Sequence, residues 1–162
     1  MIDDALLGRH EVATSADMER LGARIGSGLV AGDLIVLTGP LGAGKTTLTR
    51  GIADGLGVRG PVQSPTFVIA RTHPSLVGGA PLVHADAYRL DSAMELDDLD
   101  VDVDGSVTIV EWGRGKVDGL REEWIDIEIE RPVGAVSDEA DAADLDLDAP
   151  RVVTIRRETS DG

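Results

Sequence analysis

The chain has no cysteine and no asparagine, and only 2% of its 162 residues are aromatic. Without cysteine it can build neither a disulfide framework nor a thiolate zinc site. Without asparagine it cannot spell the guanine-reading Asn-Lys-x-Asp element, which argues against a Ras-like GTPase. The one D-x-x-G run, at residues 102–105, precedes a strand pattern instead of following one. With so few aromatics, Ala, Val, Leu and Ile must fill the interior of a chain that is 42% hydrophobic. No apolar run approaches the ~20 residues needed to cross a bilayer. The opening Met1-Ile2-Asp3-Asp4 is acidic where a secretory leader is basic. The expectation is a soluble, cytoplasmic protein with no membrane partner. Basic residues are also scarce: 15 Lys and Arg stand against 30 Asp and Glu, a formal net charge of −15. Such a surface argues against direct gripping of a nucleic-acid backbone. It serves solubility or docking onto a basic protein.

What the chain does have is concentrated at residues 39–46, Gly-Pro-Leu-Gly-Ala-Gly-Lys-Thr, a complete G-x-x-x-x-G-K-T phosphate-binding loop. A short apolar run at residues 33–38 reads as the strand before it. Leu48, Ile52 and Leu56 follow at four-residue spacing, the mark of a helix. Gly39, Gly42 and Gly44 let the backbone curl so that N–H groups, those of Leu41 and Ala43 included, point at phosphate oxygens. Lys45 is placed to reach the β- and γ-phosphates and the Thr46 hydroxyl to bind Mg²⁺, with Thr47 next in the motif. A helix terminus gives an anion about 0.3–2 kcal/mol. Each charge-assisted hydrogen bond gives about 1.5–3 kcal/mol, so the loop and Lys45 dominate. Screening confines repulsion from the acidic surface to roughly 8 Å, which leaves the local field of the loop in control. ATP is the expected nucleotide.

The rest of the chain reads as a single domain over residues 1–162. Residues 10–13 form a first strand, and Thr14 or Ser15 caps a helix carrying Met18, Leu21, Ile25 and Leu29. Gly22, Gly26 and Gly28 interrupt that helix pattern. Gly55 and Gly57 end the next helix. Strands are expected at 67–71, 82–88 and 107–110, with a loop at 74–81 and a short helix within the acidic stretch 91–104. Residues 125–130 alternate apolar and charged, so one face should be wet. Residues 151–156 supply an antiparallel partner with basic ends. Between them, residues 132–150 read as a flexible Ala/Asp-rich loop. The expected fold is α/β, a P-loop NTPase-type three-layer domain whose largely parallel central sheet is extended by a C-terminal antiparallel hairpin.

Hydrolysis needs more than a phosphate loop. Glu111 ends the strand at 107–110 in a Walker-B-like position, and Asp86 ends the one at 82–85. An ordinary charged strand end and a turn-capping aspartate are the competing readings. Thr66, between Pro65 and Phe67, is either a switch-like hydroxyl for the γ-phosphate or a plain turn residue. Trp112 is either an adenine-stacking surface or core filler. Arg89 and Arg114 are candidate cations for transition-state charge, or partners of surface carboxylates. His84 either orients Asp86 or water, or is a satisfied buried histidine.

Taken in order, the phosphate loop, Ser64-Pro-Thr-Phe67, His84-Ala-Asp-Ala-Tyr-Arg-Leu90 and Val110-Glu-Trp112 resemble the bacterial TsaE (YjeE) family. The resemblance covers residues 10–130. It implies an ATPase of tRNA threonylcarbamoyladenosine biosynthesis that docks on a TsaB–TsaD pair and supports its turnover, while TsaD makes the transfer. It implies that Lys45 and Thr46 bind phosphate and Mg²⁺ and that Glu111 is a metal-side carboxylate. Asp86 is then required for hydrolysis, Thr66 lies in a switch segment, and Trp112 lies near the nucleotide. The insertion at 132–150 departs from a tight terminal hairpin. The alternatives are a small-molecule or nucleotide kinase and a non-hydrolysing ATP-dependent docking switch.

Overall fold

The computed structural model describes residues 2–40, 44–58, 70–86, 102–112, 114, 117, 121–130 and 150–159. Over these residues the chain runs β1 (Gly8–Val12), α1 (Ser15–Ser27), β2 (Leu34–Thr38), α2 (Lys45–Leu56), β3 (Ala70–His73), β4 (Leu82–Asp86), β5 (Val107–Glu111), β6 (Glu123–Glu130) and β7 (Arg151–Thr159). The seven strands form one sheet in the order β1-β7-β6-β2-β5-β4-β3. The inner strands β6, β2, β5 and β4 run parallel. Both flanks are antiparallel, through β6–β7–β1 on one side and β4–β3 on the other. The sheet is therefore mixed α/β with a parallel centre, and the expected hairpin of residues 125–130 with 151–156 is present.

The burial of each strand follows its sequence. Leu34-Ile35-Val36-Leu37 is apolar on both faces because β2 lies at the sheet centre, covered on both sides. Toward the helices, Ile35, Leu37, Ile109 and Ile127 pack with Leu21 and Ile25 of α1 and Leu48 and Ile52 of α2. On the opposite face Leu34, Val36, Ala85 and Val110 pack with Val117, Ala70 and Trp124. Each such large apolar side chain contributes about 1.5–3 kcal/mol on burial.

Thr14 starts α1, its side-chain oxygen accepting the Asp17 N–H at 3.1 Å. Gly57, with φ +81, ends α2 in the left-handed region. The glycines that interrupt the α1 pattern have a packing reason. A Cβ on Gly22 would come within 2.5 Å of the Leu48 carbonyl oxygen, and one on Gly26 within 2.2 Å of that of Ile52. The contact is reciprocal, since Gly51 and Gly55 of α2 lie equally close to Glu19 and Ala23 of α1. Gly55 thus belongs to this seam rather than to the helix stop.

One expectation fails on β6. The charged face of the alternating strand is not simply wet, because Asp126 is only 3% exposed. Arg114 reaches both of its oxygens, Nε to Oδ1 at 3.1 Å and a terminal nitrogen to Oδ2 at 2.7 Å, and Arg156 adds a bond at 3.3 Å. Two guanidinium groups stand in for water. The expected helix at 91–104 and the loop at 132–150 fall almost wholly outside the described residues.

Candidate active site at the carboxyl edge

The parallel register brings three strand ends together. Leu37 of β2 and Asp86 of β4 both lie opposite Glu111 of β5, and β2 leads through Gly39 toward α2. This is the carboxyl edge of the parallel sheet, where loops leave for the helices and α/β proteins place their ligands. Side chains alternate along each strand, so His84, Asp86 and Glu111 share the face on which α1 and α2 pack.

Gly44 is the N-cap of α2, with φ +108 and no side-chain cap. A Cβ there would stand 3.2 Å from the Met18 methyl, so both the backbone angle and α1 require glycine. No acidic residue occupies the first turn of α2. The helix thus presents its positive end to the edge without an internal anion to neutralise it.

Lys45, the first residue of α2, turns inward over the sheet. Its ammonium lies 3.7 Å from Glu111 Oε1 and 4.1 Å from the centre of the Trp112 ring. Its side chain keeps only 10% of its exposure. That burial pulls the lysine below its ordinary pKa of 10.5, against the opposing pull of the Glu111 and Asp86 carboxylates. Facing an indole ring is worth about 0.5–2 kcal/mol to such a cation. Trp112 is held there by its backbone. It is the non-glycine residue with positive φ among the described residues, at +61, and its N–H donates to the Leu37 carbonyl at 3.0 Å. A strained angle at a site of this kind marks a position fixed by its surroundings.

Glu111 is itself 5% exposed and bonded on both sides. While Oε1 faces Lys45, Oε2 lies 2.5 Å from Nε2 of His84, which is fully buried. The partner of His84 is therefore Glu111, which the sequence pattern did not assign to it. The pairing crosses 27 residues and depends on strand register, which no local pattern reveals. Arg114 is likewise not available as a charge-stabilising cation. It is committed to Asp126 and Glu128 on the other face of the sheet, and these carboxylates hold its pKa above the usual arginine range.

Of the residues read as a site, Gly39, Gly44, Lys45, Thr46, Thr47, Asp86, Glu111 and Trp112 are described and lie at or beside this edge. Leu41, Gly42, Ala43 and Thr66 lie outside the described residues, as does Arg89. The described set combines a buried cation, an uncapped helix start, a hydroxyl at Thr46 and two carboxylates. It fits an anionic ligand accompanied by a hard, oxygen-seeking cation such as Mg²⁺, which takes few protein ligands and leaves the others to phosphate and water. A cavity of about 540 Å³ lies at the opposite edge, between Gly26, Val30, Gly55 and Pro81, and among the described residues no ionisable side chain lines it.

These features define a mixed α/β protein whose candidate site is a glycine loop and helix start at the carboxyl edge of a parallel sheet. Comparison with known proteins then gives the family. The chain belongs to the TsaE family: the family model described as "Threonylcarbamoyl adenosine biosynthesis protein TsaE" matches residues 12–136. A Streptomyces coelicolor protein named tRNA threonylcarbamoyladenosine biosynthesis protein TsaE is 59% identical over 125 residues, covering 75% of this chain and 84% of that one. A Bacillus subtilis protein of the same name is 43% identical over 101 residues, 62% of this chain and 63% of its own length. The crystal structure of Bacillus subtilis YdiB superposes with a TM-score of 0.64 at 28% identity, over 91% of this chain and 82% of that one. The family resemblance drawn from the sequence motifs is borne out.

Proposed function

We propose that this chain is a Mg²⁺-dependent P-loop ATPase that serves tRNA threonylcarbamoyladenosine biosynthesis beside a TsaB–TsaD-like pair. The observation that carries the reading is Lys45, buried at the uncapped start of α2 and facing Glu111 at 3.7 Å. A cation that burial disfavours, at a helix start, is stabilised by an anion placed beside it. The Gly39–Thr46 motif supports reading that anion as the phosphate chain of a nucleotide. The names of the relatives support the pathway.

In this reading Lys45 and the α2 N–H groups bind the phosphates, and Thr46 and Glu111 hold Mg²⁺, which neutralises phosphate charge when bound. Asp86, half-buried at the end of β4, receives the proton of the attacking water. The water oxygen bonds to the γ-phosphorus, the bond to the bridging oxygen breaks, and ADP departs with its electron pair. The proton then passes to solvent. A kinase that clamps its acceptor with a cationic lid is disfavoured, because Arg114 is engaged by Asp126 and Glu128.

The test is ATP hydrolysis by the purified chain, alone and with a TsaB–TsaD pair, beside Lys45→Ala. Turnover raised by the pair and lost in the variant is expected. Equal turnover in Lys45→Ala would remove the site, and binding without any turnover would leave a docking switch.

A further inference from the structure

The buried His84 has no part in the phosphate-binding motif, yet it lies closer to the Glu111 carboxylate than Lys45 does. Its Nε2 lies 2.5 Å from Glu111 Oε2, with His84 fully buried and the carboxylate 7% exposed. The other ring nitrogen, Nδ1, is buried and finds no hydrogen-bond partner among the described residues. A proton on Nδ1 would be stranded there without an acceptor. The proton therefore sits on Nε2 and is donated to Oε2. This fixes the tautomer and, with it, which carboxylate oxygen is spent. Oε2 is taken by the sheet interior. Oε1 is left facing the head of α2, where Lys45 approaches to 3.7 Å.

The geometry points to His84 as a positioning residue for Glu111, one that locks the carboxylate so that Oε1 alone faces the phosphate and metal side. The inference rests on the ATPase reading above. Both residues sit on adjacent parallel strands, β4 and β5, whose register is set by ladder hydrogen bonds on either side. The imidazole is thus as rigid as the sheet. A carboxylate on a three-bond side chain has no such rigidity by itself, and outer partners of this kind hold ligating groups in their working orientation. Asp86, two residues along the same strand, lies outside this bond.

The test compares His84→Leu, which removes the donor, with His84→Gln, whose amide N–H can reach the same oxygen. ATP affinity is measured by equilibrium titration and turnover separately under saturating ATP and Mg²⁺. His84→Leu should bind ATP within about threefold of the parent while kcat falls by about 10- to 100-fold. His84→Gln should recover most of the loss. Independently of turnover, the free chain should show a downfield imidazole Nε2–H proton resonance, retained in Lys45→Ala and lost in Glu111→Ala. A His84→Leu protein that is folded, binds ATP and turns over like the parent would overturn the inference, as would an Nδ1–H tautomer in the nitrogen spectrum. Absence of turnover in the parent chain itself would instead overturn the ATPase reading.

Discussion

Replacing Gly26 with alanine should destabilise the protein, although alanine is the better helix former. In an exposed helix the change would gain about 1 kcal/mol. Here the new Cβ would lie 2.2 Å from the Ile52 carbonyl oxygen, where ordinary contact begins at 3.4 Å. The obstacle is backbone, so no rotamer change relieves it, and α1 must retreat from α2 by about 1 Å. A gap of that size forfeits about a quarter to a half of each dispersion contact along the seam. Overpacking costs about 1–3 kcal/mol, and a 2.2 Å clash with backbone takes the upper end, so after the helix gain of about 1 kcal/mol the net loss should be about 2 kcal/mol. For a chain of this size that is roughly 4–8 °C in Tm. The assay is thermal and urea unfolding beside Ser27→Ala, an exposed neighbour on α1 that should stay within about 0.5 kcal/mol of the parent. Lys45 heads the displaced helix, so anion affinity should weaken as well. A Gly26→Ala protein as stable as the parent, or more so, would refute the packing argument and leave propensity in charge.

Trp112→Gly should be more stable than Trp112→Ala by about 1 kcal/mol, since φ +61 suits glycine and strains alanine; equal unfolding midpoints would show that the turn relaxes. Arg114→Ala should cost about 1–3 kcal/mol by leaving buried Asp126 with Arg156 alone, and more than Arg156→Ala, whose bonds are longer; a denaturant titration ranks the two. Affinity for inorganic tripolyphosphate should fall as pH rises through the Lys45 pKa of the free chain. The bound anion favours the ammonium and raises that pKa, whereas burial sets the free value below 10.5, so the loss begins under 10.5. Lys45→Arg, which stays charged, should lack that alkaline fall in a calorimetric titration, and the same fall in the arginine variant would assign it to another group.

Much of this architecture was legible because its signals are local. The Leu34–Thr38 run and the Leu48–Ile52 spacing place β2 and α2 from sequence alone. Glu111 and Asp86 are legible as strand ends for the same reason. What was misread depends on partners distant in sequence. Gly22 and Gly26 look like weaknesses in α1 until Gly51 and Gly55 are seen at the same four-residue spacing on α2. Those two matched pairs were the available signal. The basic ends of the 151–156 partner announce Arg156 beside Asp126, but nothing local announces Arg114, so Asp126 reads as more solvent-facing than it is. His84 finds Glu111 through strand register, and register belongs to the sheet as a whole.

The pairing of β1 with β7 carries a consequence for how the chain is made. Gly8 lies opposite Ile155, and every other residue of β1 is matched with β7 in the same way. On the ribosome, β1 emerges early and has no ladder to join until β7 follows. α1, α2, β2, β4 and β5, which precede β6 in the chain and pack on one another as α1–α2, β2–β5 and β4–β5 pairs, can assemble meanwhile. The head of α2 and the Lys45–Glu111 contact therefore belong to the part that can form during synthesis, and closure of the far edge comes last.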